Sequence, residues 1–204
     1  MVVGAPQRAR WPMTGLVVLG AEGMLGRALV KRLAQHAPLA AGRSDADVTS
    51  ADALQRFIPE GATVINASAY TNVDMAESDE AAAFAVNSDA VGLIAETVRA
   101  KGGRLIHVST DYVFDGTAHE PYAEGATRSP TSAYGRSKLG GEKAVEEILP
   151  DAGVIVRTAW LYGFPGESFP ATILKASRDR EFLDVVTDQS DSRRGQAMLP
   201  PWWS

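Results

Sequence analysis

The hydrophobic pattern opens at Leu16-Val17-Val18-Leu19, a short unbroken apolar run. Such a run fits a strand covered on both faces of a parallel sheet. The segment from Gly20 to Gly26 interrupts it. Leu25, Leu29, Val30 and Leu33 then recur at helical spacing, with Arg27, Lys31 and Arg32 between them. This predicts a strand, a glycine turn and a helix. Leu39 to Ala41 and Thr63-Val64-Ile65-Asn66 predict a second and a third strand. Ala81 to Ala100 predicts one long helix, with Phe84, Val91, Leu93, Ile94 and Val98 as its apolar positions. Arg104 to Ser109 predicts a fourth strand, Tyr134 to Leu149 a helix, and Val154 to Arg157 a fifth strand. Strands alternating with helices imply parallel pairing through right-handed crossovers. Beyond Arg157 the pattern weakens. Ser168 to Arg180 reads as one more helix and Leu183 to Thr187 as one more strand, while Gly195 to Ser204 shows no period.

Composition narrows the class. The chain has 204 residues, one domain or slightly more, and a hydrophobic content of 45% that is ordinary for a globular protein. The net charge of −5 argues against nucleic-acid and membrane-surface roles. Cysteine is absent, which excludes a disulfide framework, a thiolate zinc site and a cysteine nucleophile, and fits a cytoplasmic location. No apolar run approaches the ~18 residues of a membrane span. Residues 1–13 are small and basic at Arg8 and Arg10, without the apolar core of a signal peptide. They are expected to be a disordered extension, with Met13 as the natural start.

The glycine turn is the first chemical signal. In Gly20-x-x-Gly23-x-x-Gly26 the first glycine permits a tight turn, the second lets backbone approach a pyrophosphate, and the third lets helix and strand pack closely. The helix start then offers free N–H groups to phosphates. The fold predicted is therefore α/β, a Rossmann-type doubly wound parallel sheet. The end of the second strand should read the ribose, an acid there favouring NAD and an arginine accommodating a 2′-phosphate. Arg43 stands there, which favours NADPH; a plain solvated loop charge is the alternative, and NADH stays open as cofactor.

Tyr134-Gly135-Arg136-Ser137-Lys138 is the second signal. Tyrosine and lysine four apart share one helix face. A tyrosine is a poor acid–base near neutrality. A neighbouring ammonium is expected to lower its pKa, so that Tyr134 can pass a proton to a substrate oxygen while Lys138 also holds the nicotinamide ribose. Ser109 and Thr110 end the fourth strand, where a hydroxyl could bond the same oxygen. Strand alternation aims only one of them at the site.

Four further segments carry a resemblance. They are Val64 to Asp74 with Ala76-Glu77, Ile106 to Gly116 (I-H-V-S-T-D-Y-V-F-D-G), Tyr134 to Leu139 with Gly141-Glu142, and Arg157 to Gly163. Together with the glycine turn they resemble the dTDP-4-dehydrorhamnose reductase family, extended short-chain dehydrogenase/reductases acting on sugar nucleotides. The resemblance runs from about Leu16 to Gln189. It implies NADPH- or NADH-dependent reduction of the 4-keto group of dTDP-4-dehydro-L-rhamnose to dTDP-L-rhamnose. It also implies a homodimer for the full-length parent and, in some members, magnesium at the dimer interface; the residues themselves show no metal site. By resemblance, Gly23, Met24 and Leu25 line the pyrophosphate, and Asp47 and Val48 flank the adenine. Ala69, Tyr70 and Thr71 pass under the cofactor, and Val108 contacts it. Tyr134 is the proton donor, with Lys138 as its partner. Of the two hydroxyls, Thr110 is the one selected, and Thr110, Asp111 and Trp160 meet the sugar. The alternatives are a sugar-nucleotide epimerase or another sugar-nucleotide reductase, a non-catalytic NADP-binding regulatory subunit of methionine adenosyltransferase, and, for a chain of this length, an inert product of the reductase family.

Plainer roles compete at several positions. Asn66 and Asp74 would serve as turn and cap residues, Trp160 as core, and His107 as a packed strand residue. His36 and His119 would lie on the surface, and the acids from Asp74 to Glu80 would form a solvated helix start. The domains expected are a nucleotide-binding domain over 14–160 and the start of an incomplete C-terminal substrate domain over 161–189. The family pattern D-Q-x-G-x-P-T stops here after Asp188-Gln189. Suitable synonymous codons for Ser190 to Ala197, read in a neighbouring frame, give G-L-P-T-W-A-G-D. Residues 190–204 are therefore expected to be a frameshifted, non-native tail.

Overall fold

Five strands pair in parallel in the order β2-β1-β3-β4-β5. They are β1 (Leu16–Leu19), β2 (Leu39–Ala41), β3 (Thr63–Asn66), β4 (Arg104–Thr110) and β5 (Gly153–Thr158). The computed structural model describes residues 15–161 together with 173, 175, 177, 178 and 182. Residues 1–13, the expected strand over 183–187 and the expected tail over 190–204 lie outside the described residues. Of the helix expected over 168–180, residues 173, 175, 177 and 178 are described and are helical.

Helices fill the crossovers: α1 (Met24–Arg32), α2 (Ala51–Phe57), α3 (Val73–Ser78), α4 (Glu80–Phe84), α5 (Ala90–Ala100) and α6 (Ala133–Ile148). The result is the doubly wound, Rossmann-type parallel sheet that the alternating pattern predicts. Val17, Leu19, Val64 and Leu105 are buried in one core with Leu54 of α2, Val91, Ile94 and Val98 of α5, and Val145 of α6. Each such side chain contributes roughly 1.5–3 kcal/mol by leaving water. The sheet is less covered at β5, where Val154 and Val156 remain exposed. Serine, asparagine and aspartate start most of the helices. Ser50 caps α2, Asn72 caps α3, Asp79 caps α4 and Ser132 caps α6, each accepting the backbone N–H three residues on.

The long helix predicted from Ala81 to Ala100 is present with a difference. It starts at Glu80 and opens into one π-helical stretch over Ala85–Asp89 before α5. The cause lies at Asn87, which turns inward. Its Oδ1 accepts the Tyr70 N–H at 2.9 Å, and its Nδ2 donates to Tyr70 O at 3.0 Å and to Ser137 Oγ at 3.0 Å. A Cβ on Gly141 of α6 would run into Asn87 O, so glycine there lets the widened turn approach. Such π-bulges often sit beside functional sites. The Glu80–Ala100 segment is long and apolar enough by length and composition to cross a membrane. Its apolarity is explained by burial, since Val91, Ile94, Ala95 and Val98 are fully inside the core.

Candidate active site

Strand order reverses about β1, with β2 on one side and β3 on the other. The crevice at the carboxyl ends of β1 and β3 is where open parallel sheets bind ligands. Gly20 ends β1 with a φ of +74°, a left-handed conformation that suits glycine. A Cβ there would also lie 2.6 Å from Ser68 N, so the turn is pressed against the loop after β3. At Gly26 a Cβ would run into Gly20 O and sit 2.8 Å from Ala21 Cα. Both neighbours are backbone and cannot swing aside. Gly26→Ala should therefore cost about 1–3 kcal/mol and weaken nucleotide binding; an unchanged melting temperature would count against this packing. Gly23 caps α1 with no side-chain hydrogen bond, which leaves the Met24 and Leu25 N–H groups without a side-chain acceptor. The turn thus fits a dinucleotide pyrophosphate, with glycine where space is short and free donors at the helix start.

Beyond β2, the Arg43 side chain is 88% exposed and its Nε lies 4.0 Å from Asp47. Asp47 is held below the ordinary carboxylate range chiefly by the Thr49 hydroxyl and N–H. Val48 is partly buried against the main core. On the β3 side Ala69 and Tyr70 are half-buried and Thr71 is exposed, with Tyr70 pinned by Asn87. Asn66 is a turn residue as anticipated, its Oδ1 accepting Ser68 N–H at 3.0 Å.

Tyr134 and Thr110 meet where β4 ends and α6 begins. The Thr110 hydroxyl donates to Asp111 Oδ1 at 3.0 Å and approaches the Tyr134 phenol closely enough to favour its ionised form. Burial outweighs that effect and pushes the phenol above its usual value, helped by Tyr112 and Asp111. The lowering expected from Lys138 is not found. The reason is geometric: Lys138 is buried and its Nζ donates to Val108 O at 2.7 Å, under β4. Burial lowers Lys138 to about 8, against the attraction of Glu142 that raises it. Tyr112 packs edge-on to Tyr134 at 5.5 Å between ring centroids.

A buried polar network supports this corner. Burial would raise the Glu142 carboxyl, but hydrogen bonds from Arg157 and Arg128, with the nearby Ser109 hydroxyl, hold it below the ordinary range. Arg157 donates to it through Nε at 2.9 Å and Nη2 at 2.8 Å, and Arg128 Nη1 at 2.9 Å. Ser109 is more buried than Thr110, and its Oγ completes no well-aligned hydrogen bond. His107 packs, as anticipated: it is fully buried, and Asn66 Nδ2 donates to its Nδ1 at 3.3 Å. Burial, with Lys138 nearby and against Glu142, pushes it down to about 3, so it is neutral.

Two further expectations change. Part of the acidic run from Asp74 to Glu80 is not merely solvated: Glu77 Oε1 accepts the Ala133 N–H at 2.8 Å, and Glu80 pairs with Arg136 at 2.9 Å. The free N–H groups at the start of α6 attract these acids, which thereby fix the turn that carries Tyr134. Trp160 is not core; it is 47% exposed at a φ of +51° just beyond β5, with Asp111 exposed as well. His36 and His119 are exposed as anticipated. The sequence reading gave no role to Asn87, Ser137, Arg128 or Glu142. Only Glu142 carried a local signal, four residues after Lys138 on the same helix. Among the described residues no group of three or more His, Cys, Asp or Glu gathers to hold a metal ion, so the magnesium implied by resemblance finds no fitting site there.

The sheet order, the glycine turn and the tyrosine and lysine of α6 are those of the short-chain dehydrogenase/reductase class. The chain belongs to the family described as "RmlD substrate binding domain", whose model matches residues 13–193. It is 45% identical over 177 residues to a dTDP-4-keto-6-deoxy-D-glucose reductase of Streptomyces niveus, covering 85% of this chain and 62% of that protein. It is 44% identical over 184 residues to a dTDP-4-dehydrorhamnose reductase of Mycobacterium tuberculosis, covering 87% and 60%. Among solved structures, a dTDP-4-dehydrorhamnose reductase of Clostridium acetobutylicum matches with a TM-score of 0.79 and 36% identity, over 85% of this chain and 63% of that one. The Bacillus anthracis reductase in complex with NADP matches with a TM-score of 0.77 and 33% identity, over 81% and 60%. The chain spans 60–63% of the length of the first curated relatives it matches.

Proposed function

We propose that this chain carries the nucleotide site and proton donor of a reductase that converts the 4-keto group of dTDP-4-dehydro-L-rhamnose to the 4-hydroxyl of dTDP-L-rhamnose, with NADPH as reductant. The observation that carries this reading is the pairing of the buried-side Tyr134 phenol with the Thr110 hydroxyl at the carboxyl end of β4, in the same crevice as the glycine turn. The names borne by the relatives and the NADP held by the Bacillus anthracis structure support the substrate and cofactor assigned. Residues 14–160 form the nucleotide-binding domain in this reading, and 161–189 begin the substrate domain.

NADPH, when bound, supplies the hydride. Gly20, Gly23 and Gly26 give the pyrophosphate room, and the Met24 and Leu25 N–H groups hold it. Ala69, Tyr70, Thr71 and Val108 line the cofactor, while Asp47 and Val48 flank the adenine. Arg43 serves the 2′-phosphate. Thr110 and Tyr134 hold the keto oxygen, and Tyr134 gives it a proton as the carbon is reduced. Its raised pKa keeps that proton in place at neutral pH, the state a reduction needs. Asp111 and the exposed Trp160 meet the sugar. Lys138 secures the nicotinamide ribose.

Carried on to the full length of its relatives, the protein, given NADPH and dTDP-4-dehydro-L-rhamnose, should oxidise NADPH and form dTDP-L-rhamnose. An epimerised keto sugar without NADPH oxidation, or nucleotide binding with no sugar turnover, would refute the reading. Lys138 adds a pH test. Its charge is largely present at pH 7 and is lost as pH rises through about 8. Nucleotide affinity should fall through that range, and a flat profile over it would remove Lys138 from the ribose.

A further inference from the structure

The end of β2 holds more acid than a 2′-phosphate site calls for. Glu22, the residue before the second glycine of the turn, lays its side chain across Gly42. A Cβ on Gly42 would run into Glu22 Cδ and lie 2.7 Å from both carboxylate oxygens. Glycine at 42 therefore makes the room that this carboxylate occupies. Arg27 Nε donates to Glu22 O at 2.7 Å and steadies the backbone beneath it. Asp45 Oδ2 accepts the Gly42 N–H at 2.9 Å, adding a second carboxylate. Glu22, Gly42 and Asp45, with Arg27 and Lys31 of α1, line an open cavity of about 370 Å³. Arg43, the residue expected to favour a 2′-phosphate, stands beside this cavity on an 88% exposed side chain, drawn toward Asp47.

Chemistry follows from that placement. The group at the end of the second strand meets the 2′ position of the adenosine ribose. A carboxylate accepts a hydrogen bond from a 2′-hydroxyl. It repels a 2′-phosphate, which carries between one and two negative charges near neutrality. We propose that Glu22 is a specificity-determining residue for the cofactor: its carboxylate over Gly42 accepts the ribose 2′-hydroxyl and opposes a 2′-phosphate, and so sets how far the site prefers one 2′ group over the other. The inference rests on the nucleotide site of the proposed function. Arg43 and Glu22 then pull the preference in opposite directions.

The test compares two nucleotides that differ only at this position. 5′-AMP and 2′,5′-ADP (adenosine 2′,5′-bisphosphate) are titrated calorimetrically at low salt into the whole chain and into Glu22→Gln, Glu22→Ala and Arg43→Ala. An exposed charge contact of this kind is worth up to about fivefold in affinity. Both Glu22 variants should shift the ratio of the two dissociation constants more than about twofold and up to about fivefold toward 2′,5′-ADP, and Arg43→Ala should shift it the other way. Glu22 is exposed, so the variants should melt with the parent chain, and the paired Gln and Ala changes guard against a local defect in one of them. Retained binding with a ratio within twofold of the parent in both Glu22 variants overturns the role of Glu22 alone. Failure of the parent chain to bind either nucleotide overturns the nucleotide site and this inference with it.

Discussion

Tyr134→Phe should lower turnover by about two to four orders of magnitude, the usual worth of a positioned acid–base group, and leave nucleotide affinity within about twofold. The substitution removes one hydroxyl. The ring keeps its edge-on packing against Tyr112, and the helix start stays tied down by Ser132, Glu77 and Glu80. Loss of fold would therefore not explain loss of rate. What disappears is the proton source beside Thr110. The phenol sits above its ordinary pKa because of burial, so the parent enzyme should keep its donor protonated well into alkaline solution. Any alkaline fall near pH 8 would then belong to Lys138 and not to Tyr134. NADPH oxidation under single-turnover conditions, with binding measured separately, checks both claims. A variant that keeps more than a tenth of the parent rate would remove Tyr134 from the chemistry.

Most of the fold is legible in the sequence because β1 and β3 are buried on both faces and, like the less covered β2, read as short apolar runs. Leu16 to Leu19, Leu39 to Ala41 and Thr63 to Asn66 are found where the pattern puts them. Short α2 was not anticipated: it offers little apolar periodicity, with Leu54 its one fully buried side chain, and forms on a Ser50 cap and the support of the core. The π-helical stretch was equally hidden, since Asn87 turns inward only to meet Tyr70 and Ser137, residues 17 and 50 positions away. At the candidate site, spacing alone brings Tyr134 and Lys138 onto one face of α6. It does not say where a long, flexible ammonium goes. Burial and the Val108 carbonyl decide that, and they draw Lys138 beneath β4 instead of onto the phenol. Glu22 has the same character. Its position in the glycine turn is visible in sequence, but its place over Gly42 depends on β2 lying beside β1.

Glu142 is where stability and site electrostatics are joined. Its side chain has no exposure and pairs with Arg157 and with Arg128, which Glu146 also binds; the two arginine side chains are 20% and 24% exposed. Removing one member of a buried ionic group costs roughly 3–5 kcal/mol. Partial solvent access to the two arginines reduces this to about 2–3 kcal/mol for Glu142→Ala, a fall of about 4–12 °C in melting temperature for a domain of this size. The acid dependence has a definite sign. The folded Glu142 lies below its ordinary value, so its stabilisation is present above the unfolded carboxyl pKa of about 4.3 and is lost as pH falls through the folded value. Parent and variant should therefore differ most near neutrality and converge in acid. A second readout separates this from a generic core defect. Glu142 is the charge that raises Lys138 against burial, so Glu142→Gln, which keeps the shape, should bring the alkaline loss of nucleotide affinity below pH 8. If Glu142→Gln weakened the fold but left that midpoint in place, the carboxylate would be a structural anchor for Arg157 and Arg128 and nothing more. If it moved the midpoint, the ion network under β4 would also set the charge of the lysine that holds the ribose.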